Sequence, residues 1–149
     1  MKSFTWIFLA CIGLYISQTN QVSAQQPGKA DLVVTITGID SAGGTIKIGL
    51  FNREAGFLDV SQVMRGVNQP AQQGQMSVVF EDLPAGQYAV SIIHDENQNG
   101  FLDKNILGIP KEGYGFSRNV RPFLSPPSFS ATSVTLSGIN MQIQIGMRY

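Results

Sequence analysis

The chain has 149 residues, of which 43% are apolar and only 13% carry a charge. That length supports one domain with its own hydrophobic core. Ten basic and ten acidic residues cancel, and the sequence contains no run of lysine or arginine. A nucleic-acid-binding protein needs such a basic patch to contact phosphates, so this class of partner is excluded.

The N-terminus has the pattern of a cleaved export signal. Lys2 supplies a positive charge, the run 4–16 is almost wholly apolar, and Val22-Ser23-Ala24 is a small-residue cleavage site. We predict that residues 1–24 are removed, which makes the protein secreted or periplasmic. The apolar run is shorter than the roughly 20 residues of a membrane-spanning helix, so no transmembrane segment is expected after cleavage. Cys11, the single cysteine, leaves with the signal, which excludes disulfides and thiol chemistry.

The remainder alternates between apolar and polar residues with the period of β-strands. After a loose leader at 25–30, the pattern predicts strands over 31–39, 45–52, 75–81, 88–94, 128–136 and 139–149. We interpret 53–74 as a long connection with one helical turn, and 105–127 as a Gly- and Pro-rich loop. Short strands separated by turns predict an all-β fold, a single antiparallel Ig-like β-sandwich of about seven strands over residues 31–149.

One stretch, 95–103, places oxygen-bearing side chains at the spacing of a calcium-binding loop. In an EF-hand-type loop, positions 1, 3 and 5 offer side-chain oxygens, position 6 is glycine and position 7 offers a carbonyl. In this sequence Asp95, Asn97 and Asn99 occupy positions 1, 3 and 5. Gly100 and Phe101 occupy positions 6 and 7, and Asp103 occupies position 9. Ile106 occupies position 12, where a bidentate acid is expected, so we predict weak affinity, on the order of 10⁻⁴–10⁻³ M. The alternative is an ion-free loop, because Asp and Asn form such turns by themselves.

A second candidate site is the segment 113–118, in which glycines flank two aromatic residues. Such aromatics form platforms for a sugar or a peptide. The residues of this ligand-binding hypothesis are Tyr114, Phe116 and Arg118. The alternative is that the two rings fold back and cap the open end of the core.

Catalytic motifs are missing. His94 is the only histidine, and the sequence offers it neither a nucleophile nor a second metal-binding histidine. A nucleophile elbow, a P-loop and a dinucleotide fingerprint do not occur either. Asp95 with either Glu96 or Asp103 imitates the carboxylate pair of a hydrolase only in composition. We therefore predict a structural His94 and a protein that is not an enzyme, with a hydrolase as the weakest alternative.

These motifs together resemble domain-of-unknown-function family 2141, a group of exported bacterial proteins. The resemblance rests on HDENQNG at 94–100, LGIPKEGYGFS at 107–117 and LPAGQY at 83–88. It implies a β-sandwich similar to transthyretin-like and carboxypeptidase-regulatory-like domains, and it implies export without an established activity. Since the signature covers both loops, it also implies that they form one structural or binding unit.

The leading hypothesis is therefore a non-enzymatic exported β-sandwich whose loop at 95–103 binds calcium weakly. The alternative is a carbohydrate- or peptide-binding module that uses the Gly-aromatic loop 105–119. In either case the expected partner is an extracellular carbohydrate or protein.

Overall fold

The structure is a computed structural model that describes residues 28–122 and 125–149. The predicted signal peptide and the first three residues of the leader lie outside this range. The described residues form eight strands: β1 (Lys29–Ile39), β2 (Thr45–Phe51), β3 (Arg65–Pro70), β4 (Gly74–Pro84), β5 (Gly86–Asp95), β6 (Gly113–Phe116), β7 (Val134–Leu136) and β8 (Met141–Gly146). A helix of one turn, α1 (Phe129–Thr132), precedes β7, and two short 3-10 turns cover Val60–Gln62 and Ser117–Asn119.

The strands form two sheets. One sheet has three strands in the spatial order β4-β1-β8. The other has five strands, of which four lie in the order β3-β2-β5-β6, and the fifth, β7, pairs with β5. The inward residues of both sheets form one hydrophobic core, including Leu32, Val34 and Ile36 of β1 and Val90 and Ile92 of β5. Strict alternation produces this arrangement because successive strand side chains point to opposite faces. The prediction of an all-β sandwich is confirmed, with eight strands in the described residues.

A second, smaller cluster lies on the other face of the five-stranded sheet. Phe51, Ala89 and Phe129 are buried there, and Phe57 and Val63 pack against them. The rings of Phe51 and Phe57 meet edge to face at 5.2 Å. This cluster covers one end of the outward face and leaves the rest of it to the loops described below.

Four local predictions were wrong. The leader ends earlier than predicted, since β1 begins at Lys29 and Ala30 is buried. The segment 65–70 pairs with β2 as a strand, and 113–116 pairs with β5 as another, although both were predicted to be connections or loops. Residues 128–136 are not one strand, because the Ser128 hydroxyl caps α1 by accepting a hydrogen bond from the Ala131 N–H.

The pairing of β8 also differs from a purely antiparallel sandwich. Met141 to Gly146 run parallel to β1, while every other strand pair is antiparallel. Beyond β8 the chain crosses to the other sheet, where the backbones of Arg148 and Tyr114 exchange two hydrogen bonds of 2.9 Å. This crossing closes one corner of the sandwich and brings Tyr149 to the end of β5.

The end of β5 positions the polar groups of the molecule. His94 points inward and is fully buried, while Asp95 belongs to the outward face and is 1% exposed. The turn before β2 packs against this strand end, and Gly44 makes the close approach possible. Its backbone has φ +77°, and a Cβ there would overlap the carbonyl oxygen of Asp95.

Candidate binding cleft and acidic loop

The carboxylate of Asp95 organises the loop that follows β5, residues 95–103, which we call the acidic loop. Its Oδ1 accepts a hydrogen bond from the Asn99 N–H at 3.1 Å, and its Oδ2 accepts one from Gly100 N–H at 2.9 Å. The Lys47 ammonium, on the neighbouring strand β2, lies 3.0 Å from the same Oδ2. Both oxygens are therefore engaged, and the loop is folded back onto the strand that it leaves.

Electrostatics keep this buried carboxylate ionised. Burial alone would raise the pKa of Asp95, since it removes water from the charged form. The hydrogen bonds from Lys47, Gly100 and Asn99, together with the positive charge of Lys47, outweigh burial and hold the pKa of Asp95 below its ordinary value. Asp95 therefore stays negatively charged at neutral pH.

Glu112, which sequence reasoning missed, ties the two ends of the loop together. Its side chain is only 5% exposed. One carboxylate oxygen accepts a hydrogen bond from the Glu96 N–H at 3.1 Å, and the other accepts one from the Asp103 N–H at 2.9 Å. The sequence offered one indication of this role. Glu112 is a charged residue directly before Gly113, the residue of β6 that pairs with His94.

The other predicted calcium ligands bond to one another. The Asp103 carboxylate accepts hydrogen bonds from the side-chain amides of Asn97 at 2.6 Å and Asn99 at 3.0 Å. The amide oxygens of Asn97 and Asn99 accept the backbone N–H groups of Asn99 and Phe101. These are Asx-type turn bonds, which the ion-free alternative expects.

The acids of the loop do not converge on one point. Asp95, Asp103 and Glu112 are not among the triads of described residues whose ligand atoms all lie within 4.8 Å of one another. Asp95 also already has a cation, Lys47, at bonding distance. Calcium binding at Asp95, Asn97, Asn99, Phe101 and Asp103 stays a prediction, and it would require these side chains to exchange their present hydrogen bonds for the ion.

The Gly-aromatic segment is a strand whose rings face outward. In β6, Gly113 and Gly115 lie against the core side, and a Cβ at Gly115 would come within 2.9 Å of Ile145. Tyr114 and Phe116 point to the opposite face, where both are half-buried and their ring centroids lie 6.0 Å apart. The rings therefore do not cap the open end of the core.

An open cleft of about 1060 Å³ lies on this outward face. Its floor is formed by Gly49, Ser91 and Ile93 of the central strands, with Tyr114 and Phe116 beside them. Phe101 of the acidic loop and Leu107 just beyond that loop also line the cleft, and they are 71% and 78% exposed. Val60 also lines the cleft and is 75% exposed.

The charges along the cleft have one sign. Lys47 and Lys104 line it, and no described lining residue is an aspartate or a glutamate. Lys47 is neutralised by Asp95, whereas Lys104 is exposed and forms no ion pair with a described residue. The cleft therefore combines an apolar surface with one uncompensated positive charge.

Arg118, the third residue of the ligand-binding hypothesis, is not brought to this cleft. It follows β6 with φ 61°, and its guanidinium donates to the Ser130 carbonyl of α1 at 3.4 Å. Tyr114 and Phe116 therefore line the same cleft as residues of the acidic loop, whereas Arg118 contacts α1.

A second polar cluster surrounds His94 on the inner side of β5. Nε2 lies 2.7 Å from the Gly43 carbonyl oxygen, and Nδ1 lies 2.8 Å from the Tyr149 hydroxyl. Because a carbonyl only accepts, Nε2 carries a proton, and in the neutral tautomer Nδ1 then accepts from the Tyr149 hydroxyl. Burial, together with the nearby carboxylates of Asp40 and Glu96, raises the pKa of Tyr149 to about 12, so the hydroxyl keeps its proton at neutral pH.

Comparison with known proteins places the chain in a family without assigning it an activity. The profile of the family described as "Uncharacterized protein conserved in bacteria (DUF2141)" matches residues 34–144. The chain belongs to this family. A comparison with curated proteins and one with solved structures found no match. Among the residues that the structure describes, no helix has the length and apolarity that crossing a membrane requires.

Proposed function

We propose that this member of the DUF2141 family is a non-enzymatic, extracytoplasmic peptide-binding module. Its ligand is an extended apolar peptide that carries an acidic residue, and its site is the cleft on the outward face of the five-stranded sheet. The observation that carries the proposal is the exposed apolar surface around Phe101, Leu107 and Val60. Exposed apolar groups that surround a cleft commonly mark a binding site, because burying them against a partner is favourable.

The composition of the cleft favours a peptide over a carbohydrate. Most lining side chains are apolar, and few polar side chains are available for sugar hydroxyls. Tyr114 and Phe116 are inclined by 55° to each other, so they do not form one flat stacking platform. Aliphatic side chains of a peptide fit such a surface, and Lys104 offers a partner for one carboxylate.

An edge strand borders the cleft and gives the peptide backbone a partner. Gly66 and Asn68 of β3 line the cleft, and in the described residues β3 pairs with β2 alone. The free side of such a strand presents unpaired N–H and C=O groups. A peptide that adds to this edge gains main-chain hydrogen bonds while its side chains lie over the cleft.

The predicted signal peptide supports the extracytoplasmic part of the proposal. Export would place the cleft where the peptides of secreted or surface proteins are its partners. The non-enzymatic part rests on the cleft lining, in which no described residue is a histidine, a cysteine or an acid.

The test is an NMR titration of the ¹⁵N-labelled protein with the peptide Leu-Val-Phe-Leu-Asp. Shifts are expected for the amides of Ile93 and Tyr114 and not for those of the outward residues of β1. Phe101→Ser should weaken binding about tenfold through lost aromatic contact, and Lys104→Glu about threefold to fivefold through charge reversal at an exposed site.

The matched control is Val79→Ser, which removes an exposed apolar side chain from β4 on the other sheet. It should leave binding unchanged. Binding of maltohexaose or dodecanoate without binding of the peptide would overturn the proposal, as would equal peptide affinity in the wild type and Phe101→Ser.

A further inference from the structure

The cluster on the inner side of β5 contains a metal-ligand set that the cleft does not use. The imidazole of His94 and the carboxylates of Asp40 and Glu96 place one ligand atom each so that all three lie within 4.8 Å of one another. The ligand atoms of a tetrahedral zinc ion are roughly 3.4 Å apart, given Zn–N and Zn–O distances of about 2.0–2.2 Å. Asp40 and Glu96 are exposed, so small side-chain rotations bring them to that separation.

The imidazole is oriented as metal-binding imidazoles are. A ligating histidine usually donates its other ring N–H to a carbonyl or carboxylate, which fixes the tautomer. His94 does this through Nε2, which donates to Gly43 at 2.7 Å. Its Nδ1 is hydrogen-bonded to the Tyr149 hydroxyl at 2.8 Å and lies 3.9 Å from the Glu96 carboxylate.

The two carboxylates have no lysine or arginine to neutralise them. Among residues 28–122 and 125–149, no lysine or arginine forms an ion pair with Asp40 or Glu96, and the His94 ring lies 3.9 Å from the Glu96 carboxylate. Two negative charges at this separation repel each other unless a cation joins them. This electrostatic deficit is independent of the ligand spacing, and a divalent cation would remove it.

The site is also built by close packing rather than by chance proximity. A Cβ at Gly113 would overlap the Tyr149 ring, so only glycine lets that ring lie beside His94. The Tyr149 hydroxyl also accepts a hydrogen bond from the Asp40 N–H at 3.3 Å, which joins the turn before β2 to the cluster. Three separate segments are therefore held around one imidazole nitrogen.

We propose that Asp40, His94 and Glu96 form a binding site for a divalent transition-metal ion, with zinc as the ion that suits the ligand set. His94 Nδ1 and one oxygen from each carboxylate are the three protein ligands. The Tyr149 hydroxyl releases Nδ1 when the ion binds, and water fills the fourth position. Imidazole with carboxylates suits zinc, whereas calcium and magnesium require oxygen ligands alone.

The experiment is a zinc titration of the whole chain, purified without a polyhistidine tag, against a chromogenic chelator. All samples carry Cys11→Ser, so that the single thiol contributes no ligand. One zinc ion is expected to bind per chain. Cobalt(II) should bind in its place and give the intense visible absorption of a tetrahedral site.

Glu96→Gln and Asp40→Asn should each weaken zinc binding by about tenfold or more, since even the loss of an outer-shell partner costs about 10–100-fold. Both positions are exposed, so the variants are expected to fold. Glu81→Gln, an exposed acid on β4, is the matched control and should bind as the wild type does. Absence of stoichiometric zinc binding at micromolar concentration, or wild-type affinity in both variants, would overturn the proposal.

Discussion

His94 and Asp95 are neighbours in the chain, yet each organises a different polar cluster on its own side of β5. On the outer side, Asp95 is satisfied by two backbone amides and by Lys47. On the inner side, His94 is satisfied by a carbonyl and a hydroxyl, while the two acids beside it have no lysine or arginine partner among the described residues. The outer cluster is complete without a ligand, and the inner one carries excess negative charge.

This difference shows which interactions hold a polar loop in one conformation. Charge balance and buried hydrogen bonds make the outer cluster a structural element, because a buried carboxylate costs little once its lone pairs are filled. A carboxylate that has neither a neighbouring cation nor backbone N–H donors remains available to bind a ligand. The acidic loop that attracts attention in the sequence is thus the cluster whose carboxylates already have hydrogen-bond partners.

The largest expected effect comes from opening the outer cluster at Glu112. Glu112→Gln removes one of two charged acceptors and turns an amide donor toward the N–H of Glu96 or Asp103. We expect the free energy of unfolding to fall by about 1.5–3 kcal/mol, the range for hydrogen bonds to a charged group. Urea denaturation measures it, with Glu81→Gln as the exposed control. A loss equal to that of the control would show that the loop closes without Glu112.

Asp95→Asn should cost about 2 kcal/mol at neutral pH, since it breaks the pair with Lys47 and removes a charged acceptor. The loss should depend on pH. Because the folded-state pKa of Asp95 lies below its unfolded value, its stabilisation is complete above about pH 3.9 and is lost as the pH falls through the folded pKa.

The measurement is urea denaturation of the wild type and Asp95→Asn at pH 7 and at intervals below pH 4. The two curves should approach each other in the acid range. Asp82→Asn, at an exposed position, serves as the control. A gap that stays constant with pH would contradict the account of Asp95.

On the inner side, Tyr149→Phe should cost about 1 kcal/mol, because the buried Nδ1 of His94 loses its hydrogen-bond donor. Tyr114→Phe removes a hydroxyl in the cleft that makes no hydrogen bond with a described residue, so it should be neutral. Thermal unfolding of the two variants separates the effects. Equal stability of both would mean that the His94 cluster does not depend on the Tyr149 hydroxyl.

The smallest expected effect belongs to calcium. An ion that binds the outer loop with a Kd of about 1 mM stabilises the protein by about 0.6 kcal/mol at 2 mM. The shift should be absent in Asp95→Asn and present in Glu96→Gln, which alters the inner cluster. If calcium does not stabilise the wild type, the loop does not bind the ion. If calcium still stabilises Asp95→Asn, the ion binds at another site.

Much of the fold could be predicted from alternation, and the exceptions have physical causes. The strands at β1, β2, β4 and β5 have clean apolar periodicity, because one face packs in the core. The edge strand β3 has little such signal, since none of its residues is fully buried. In β6 the inward positions are Gly113 and Gly115, which carry no side chain that could reveal a pattern.

The candidate sites could also be predicted only where their residues lie close together in the sequence. The spacing of the acidic loop is local and therefore readable, whereas Glu112 acts on that loop from outside it. Asp40 and Tyr149 stand 54 and 55 residues from His94, and only strand pairing brings them together. The aromatic pair of β6 could be picked out in the sequence, but the aliphatic residues that share its cleft could not.

The parallel pairing of β1 with β8 has a consequence for how the protein folds. The Asp31 N–H donates to the Asn140 side chain across 109 residues, and Asp40 reaches Tyr149 across the same separation. Contacts of such long range form slowly, because a large loop must close before any stabilisation is gained. One edge of β1 therefore stays unpaired until residues far along the chain arrive, and until then that edge is free to pair with another molecule.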